Sequence, residues 1–299
     1  MKGKVISFVN MKGGVGKTTL TINIGHKLSQ LGNKVLIVDM DPQFNATQSL
    51  LLYKTKKIVE NTSQETDVLD EEVNFRQELQ SAEYYERLSK NKETVLQIFG
   101  GSNISTPLAN PSLSQQITDN LYLIPGDLML SKEVAGDTSN KVGAVIAHFE
   151  RTNIFNDYQY ILIDCPPTWS ILTHSSLIAS DYYVIPSKVD LYSSIGIRLL
   201  EDQINQKIIN DIMYKGTGKN LKELGIIFTL VHRNIKAEEA IKIFLKDEFK
   251  DIDFFQNDLP YMPSVPTKFI LFDDAKSDSK YSELTNSLEK ITYELVNKL

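Results

Sequence analysis

Apolar residues in this chain gather into short runs, each bounded by polar or turn-forming residues, with stretches of helical spacing between them. Residues 5–9, 35–38, 121–125, 159–164, 179–186 and 225–231 are such runs, rich in valine, isoleucine, leucine and aromatic side chains. They are too short for buried helices and apolar on successive positions, which predicts strands covered on both faces. Residues 20–31, 75–88, 94–100, 197–209, 237–249 and 281–299 read as helices. In the fifth of these, Ile241, Phe244, Leu245 and Phe249 form the expected buried face. In the last, Leu284, Leu288, Ile291, Leu295 and Leu299 form one stripe. Residues 61–69, 101–120 (with Pro107 and Pro111) and 213–221 (with Gly216 and Gly218) read as loops. At least five strand–helix alternations predict an α/β fold, a doubly wound and mostly parallel sheet with helices on both faces. The expected organisation is one domain over residues 1–299, with an insertion at 54–92 after the second strand.

Composition narrows the function classes. The chain has 299 residues, 41% hydrophobic and 23% charged, which is ordinary for a globular protein with a full core. No apolar run approaches the roughly 18 residues of a membrane span, and residues 5–9 read as a strand, not a signal peptide. A cytoplasmic location is expected. The one cysteine, Cys165, excludes an internal disulfide and a C-x-x-C metal pair. His26, His148, His174 and His232 lack metal-ligand spacing. Net charge is −6, so the whole chain is not a polycation. The charge is uneven: residues 56–100 hold ten acidic and six basic side chains, residues 198–250 eight and ten.

The candidate chemistry starts at residues 10–19, Asn-Met-Lys-Gly-Gly-Val-Gly-Lys-Thr-Thr, between the first strand and the first helix. Glycines there let backbone N–H groups converge on an anion, and the helix N-terminus adds partial positive charge. This is a P-loop at the first βα turn, with Lys17 for the β- and γ-phosphates and the Thr18 hydroxyl for Mg²⁺. The strict G-x-x-x-x-G-K-[ST] pattern fails, because Met11 stands where its first glycine would be. A second lysine, Lys12, precedes Gly13 and Gly14 instead.

That loop resembles the deviant Walker A motif of the ParA/MinD family of P-loop ATPases. The resemblance implies ATP contacts from Lys12, Gly13, Gly14, Val15, Gly16, Lys17, Thr18 and Thr19, with Lys12 reaching the ATP of a partner subunit. Residues 39–47, Asp-Met-Asp-Pro-Gln-Phe-Asn-Ala-Thr, are similar to the first switch of ParA proteins at every fixed position. By that resemblance Asp39 supports the metal shell and Asp41 positions the attacking water. Residues 159–167 end in Asp164-Cys-Pro-Pro, a Walker B strand and second switch, with Asp164 holding the Mg²⁺ shell. Cys165 belongs to that packed turn and has no activating base near it in sequence. Arg233 and Pro260 are carried over as the adenine contacts.

Lys242, Lys246 and Lys250 recur at i, i+4 and i+8 and so share one helix face. ParA relatives bind DNA without sequence preference through basic residues in this half, so these three are the expected DNA contacts, with Arg233 and Lys236 extending the patch. In the last helix Glu283, Glu289 and Glu294 offset Lys290 and Lys298, so membrane binding is not expected. The resemblance implies a Mg²⁺-dependent ATPase with slow intrinsic turnover. It would dimerise on ATP, bind DNA non-specifically and answer to a ParB-like centromere-binding protein. The alternative is a positioning ATPase acting on a protein cargo or a membrane surface. A third reading, ATP activation of a small carboxylate, is opposed by residues 39–47.

Overall fold

The computed structural model describes residues 2–62, 70–100, 113–134, 141–265 and 270–299. The loops read at residues 63–69 and 101–112 lie outside that set. Seven strands form one sheet in the order β3-β4-β2-β5-β1-β6-β7. They are β1 (Lys4–Phe8), β2 (Val35–Asp39), β3 (Gln115–Gln116), β4 (Leu121–Ile124), β5 (Tyr160–Asp164), β6 (Tyr182–Lys188) and β7 (Lys222–Thr229). All pairings are parallel except β3 with β4. The short β3 falls inside the stretch read from sequence as loop.

Side chains alternate along each strand and feed two cores. Val5, Leu36, Val38, Ile161 and Ile163 enter one; Ile6, Val35, Ile37 and Leu162 enter the other. The second core is closed by α1 (Lys17–Gln30), α2 (Asn45–Thr62), α3 (Asp70–Lys90) and, at the end of the chain, α12 (Ser282–Lys298). The first is closed by α4 (Leu96–Phe99), α5 (Leu130–Glu133), α6 (Ala144–Arg151), α7 (Ile154–Asp157), α8 (Ile171–Ala179), α9 (Ser193–Ile204) and α11 (Lys236–Glu248). The α12 stripe of Leu284, Leu288, Ile291 and Leu295 is buried against α1 and its neighbours. The turn after β1 and the ends of β2 and β5 therefore open on one edge of the sheet, where ligands bind in open α/β folds.

Three sequence readings need correction. Residues 212–216 are helical, forming α10 (Ile212–Gly216), because the Asp211 carboxylate accepts the Tyr214 N–H (2.8 Å) and caps the turn. The helix read over 197–209 starts at Ser193 and finishes as a π-helical turn, Asn205–Ile209. Phe244 is 57% exposed, not part of the buried face, because α11 buries only a narrow arc, Lys242 and Leu245.

Near the start of β7, the Glu223 carboxyl has a buried oxygen with no hydrogen-bond partner. Burial, with Glu201 and Asp253 nearby, pushes its pKa up to about 8. The folded protein therefore holds a proton that the unfolded chain loses near the ordinary carboxylate pKa, so this group's contribution to stability falls as pH rises from about 4.5 through 8. Glu223→Gln imitates the neutral form. Its melting temperature is expected to match the parent near pH 5 and exceed it at pH 8, by about 2–4 °C per kcal/mol relieved. Equal melting at both pH values would show that Glu223 carries no such burden.

Candidate functional site

The loop at residues 10–19 is pinned at three points. Asn10 Nδ2 donates to the Pro186 carbonyl on β6 (2.7 Å), and Asn10 Oδ1 accepts the Lys12 N–H (2.9 Å). The Thr229 hydroxyl, at the end of β7, donates to the Val15 carbonyl (2.7 Å). Gly14 and Gly16 take φ values of 66° and 79°, a left-handed conformation that other side chains would strain. Gly16 also serves as the N-cap of α1, so no side chain caps that end. The first-turn N–H groups are thus left for an anion.

Lys17 is buried, and its ammonium donates to the carbonyls of Asn10 and Lys12 (3.1 Å each). Burial holds its pKa below the usual value, while Asp164 and Asp41 draw it back up. Lys12 behaves differently. Its ammonium points to the rim, pairs with the Asp190 carboxylate at the start of α9, and stays one-third exposed. Asp190 is further held by the Ser193 hydroxyl (3.0 Å) and the Tyr192 N–H (3.1 Å). Although burial opposes it, these bonds and the Lys12 charge keep the Asp190 pKa below the usual carboxylate value.

Parallel register sets Asp39 and Asp164 directly side by side at the ends of β2 and β5. Both are fully buried. Asp39 is tied down: Oδ2 accepts the Thr47 N–H (2.8 Å) and hydroxyl (2.7 Å), and Oδ1 accepts the Asp41 N–H (3.2 Å). Burial still pushes its pKa up to about 7. Asp164 is orphaned, with neither carboxylate oxygen meeting a hydrogen-bond partner. Burial and the charge of Asp39 raise its pKa well above the ordinary range, against the pull of Thr18 and Lys17. An unpaired buried carboxylate beside a phosphate loop is a fit for a small divalent cation. Among the described residues no group of three or more His, Cys, Asp or Glu side chains could hold a metal ion by itself. Thr18 and Asp164, with phosphate oxygens and water, would complete such a shell. Asp41 lies at the same edge, with Oδ1 accepting the Gln43 N–H (2.9 Å).

Next to Thr18 and Thr19 a cavity of about 500 Å³ opens toward Leu230, Pro260, Tyr261 and Met262. The chain after β7 pairs with residues 259–261, since Val231 N–H donates to Leu259 O (3.1 Å) and Tyr261 N–H to Val231 O (2.8 Å). Pro260 is thereby brought to the loop. Arg233 is not: it does not line the cavity, and it pairs with Glu283 of α12. The lysine stripe loses its first member to the fold, while Lys246 and Lys250 stay exposed. Lys242 is buried and held by Asp258 and by Glu239 (3.2 Å), while Lys250 pairs with Asp247 (2.8 Å). The Lys246 ammonium stands 5.9 Å from the centre of the Phe254 ring. Helical spacing fixed the shared face, but the carboxylate of Asp258 comes from beyond the helix.

Sequence reasoning gives Asn10 no role of its own within the loop and leaves Thr229, Lys188 and Asp190 out of the site residues. The Lys188 ammonium lies 3.8 Å from where a Cβ on Gly14 would stand, a further cation beside the loop. Lys188 ends β6 and Asp190 follows it, both just past the run read at 179–186, and nearness to a strand end is the one available signal. Cys165 is buried and its thiol pKa is pushed up to about 12 by burial, which leaves it inert as a nucleophile.

Comparison with known proteins gives consistent results. A family model described as "AAA domain" matches residues 3–215. The sporulation initiation inhibitor protein Soj of Bacillus subtilis is 29% identical over 275 residues, spanning 91% of this chain and 92% of Soj. A putative plasmid partition protein from Borrelia burgdorferi B31, solved bound to AMPPNP, superposes with a TM-score of 0.69 at 20% identity over 100% of both chains. A cobyrinic acid a,c-diamide synthase from Mycobacterium smegmatis, solved with an ATP analog and magnesium, superposes with a TM-score of 0.66 at 20% identity, covering 99% and 94%. At such identities the two structures speak for the fold alone.

Proposed function

The chain belongs to the ParA-type partition ATPases of the ParA/MinD family, and from that premise we propose an ATP-driven dimerisation switch that segregates or positions DNA. On this reading residues 1–299 are one ATPase domain, to which residues 54–92 have been added. The observation that carries the proposal is the division of labour between two lysines. Lys17 is folded into its own loop, whereas Lys12 sits at the rim, bound only to Asp190 and accessible from outside.

The loop amides and the α1 N-terminus would receive the β- and γ-phosphates. Lys17 would exchange its carbonyl partners for phosphate oxygens, a favourable trade for a buried ammonium. Thr18 and Asp164 would hold Mg²⁺, with Asp39 behind them; when bound, the ion neutralises charge on the phosphates. Asp41 would orient a water whose oxygen attacks the γ-phosphorus, as the bond to the β–γ bridging oxygen breaks and ADP leaves. Lys12 would leave Asp190 for the nucleotide of a second subunit. Two such contacts would close a symmetric dimer. Turnover must be slow for each state to persist, and a ParB-like partner would hasten it. A cytoplasmic chain, associated with the nucleoid when ATP-bound, follows from this cycle. No described helix is long and apolar enough to cross a membrane.

DNA binding would rest on the exposed lysines Lys236, Lys246 and Lys250, since Lys242 is spent on Asp258. The test is binding to unrelated duplex DNA without nucleotide, with ADP and with ATP, across a salt series. Expected is ATP-dependent binding that weakens steeply with salt. The double variant Lys246→Ala/Lys250→Ala should flatten the log–log salt slope by about 2, near one unit per lost phosphate contact. The loss of Lys242 from the stripe to Asp258 also favours a second reading, a positioning ATPase with a protein cargo. An ATP-driven dimer that binds no DNA under any condition would select it.

A further inference from the structure

A groove of about 810 Å³ lies between α2 and α3, backing onto the cavity beside the phosphate loop, with which it shares Gln48 and Leu52. Phe44 and Thr47 belong to its lining. Thr47 is the residue that holds the Asp39 carboxylate, and it also accepts the Gly126 N–H (2.7 Å). Phe44 takes a left-handed φ of 41°, unusual for a bulky side chain, and its ring stacks on Tyr85 of α3 at 4.9 Å. The outer lining is apolar and open to solvent: Leu79 is 52% exposed and Leu128 57%. Phe75, one turn before Leu79 on α3, is 67% exposed. Around these stand Glu78, Glu83 and Glu86, and among the described residues no lysine or arginine lines the groove. Of the three, Glu86 pairs with Lys90 in an exposed contact (2.7 Å) worth little.

We propose that this groove docks a short amphipathic, lysine- or arginine-rich segment of a partner protein, with its apolar side against Leu79 and Leu128 and its cations on the glutamates. The volume and the line of apolar anchors suit a helix laid in a groove. The acidic rim decides among occupants. DNA would be repelled, and a second copy docking groove to groove would set two acidic rims against each other. That the occupant would act on hydrolysis, through Phe44 and Thr47, rests on the functional reading above.

The probe is a labelled amphipathic peptide of about 18 residues, leucines on one helical face and lysines on the other, with a counterpart carrying glutamates for the lysines. Fluorescence anisotropy on the nucleotide-free full chain is read at about 50 and 300 mM salt, which bracket strong and weak screening. The lysine peptide should bind saturably, weaken with salt, and lose roughly tenfold or more in both Glu78→Lys/Glu83→Lys/Glu86→Lys and Leu79→Asp. All of these substitutions are at exposed positions, and melting curves verify folding. No binding, equal binding of the two peptides, or undiminished affinity in both variants would overturn the proposal. So would a nucleotide-free dimer that Leu79→Asp converts to monomer, because the occupant would then be a second copy. Anisotropy reads docking without ATP chemistry, so loss of ATPase activity would sink the functional reading and leave docking standing. Failed docking with ATP turnover intact would do the reverse.

Discussion

Lys12→Ala is expected to bind ATP nearly as well as the parent and to hydrolyse it roughly 100-fold more slowly or worse, the range seen when one charge stabiliser of a transition state is removed. The expectation follows from where the two lysines point. Lys17 is enclosed by the loop and would contact phosphate in its own subunit, so nucleotide affinity rests on it and on the backbone amides. Lys12 contributes no side-chain contact inside the loop; its ammonium is on Asp190 at the rim. Removing it deletes charge where a second subunit would arrive and leaves the glycine geometry alone. Phosphate release gives the rate, and light scattering with ATP gives the assembly state, which should shift from dimer to monomer. Parental turnover in the variant would remove Lys12 from the reaction and, with it, the case for contact in trans.

The second large effect is expected at Asp164, where one substitution should move stability and binding in opposite directions. Both oxygens of this carboxylate are buried without partners, and Asp39 lies beside it across the parallel register. Without a cation the arrangement is unfavourable, as its raised pKa records. Asp164→Asn keeps the shape and removes the charge, so the nucleotide-free protein should melt a few degrees higher. The same change should weaken Mg²⁺-dependent ATP binding by about 10–100-fold, the scale on which metal-site partners act. Melting curves with and without Mg-ATP test both halves. A variant that gains as much from Mg-ATP as the parent would show that Asp164 does not hold the ion.

The parts of the site that were legible from sequence share a physical character: each is determined within a few residues of itself. Gly14 and Gly16 announce a backbone conformation, and Asp39 and Asp164 each end an apolar run at the ligand edge of a parallel sheet. The parts that were not legible depend on residues far along the chain. Asp190 lies 178 positions from Lys12, and no local pattern links them. Lys242 illustrates the same limit from the other side. The i, i+4, i+8 rule places three lysines on one face, but whether that face meets water or an acid is settled by Asp258, which arrives from the connection after α11. Phe244 shows that helical spacing marks an apolar face without fixing its width, since α11 buries only Lys242 and Leu245. At residues 212–216 the Asp211 cap outweighs the nearby Gly216 and Gly218, which by themselves favour a loop.

The Lys12–Asp190 pair has a kinetic meaning as well as a geometric one. Both side chains are about one-third exposed, so solvent and salt screen the contact, and such pairs contribute about 0–1 kcal/mol. A tether that weak is a parking place, not a lock. It keeps a flexible cation at a defined bearing on the rim, and so reduces the side-chain entropy to be lost when a polyphosphate comes within reach. It also leaves each empty subunit locally self-neutralised, so that two empty copies meeting face to face offer each other no surplus charge to grip. On the proposed switch, recognition between subunits would be conditional on the nucleotide: the rim would stay mute until bound polyphosphate supplied the negative charge that makes it worth letting go.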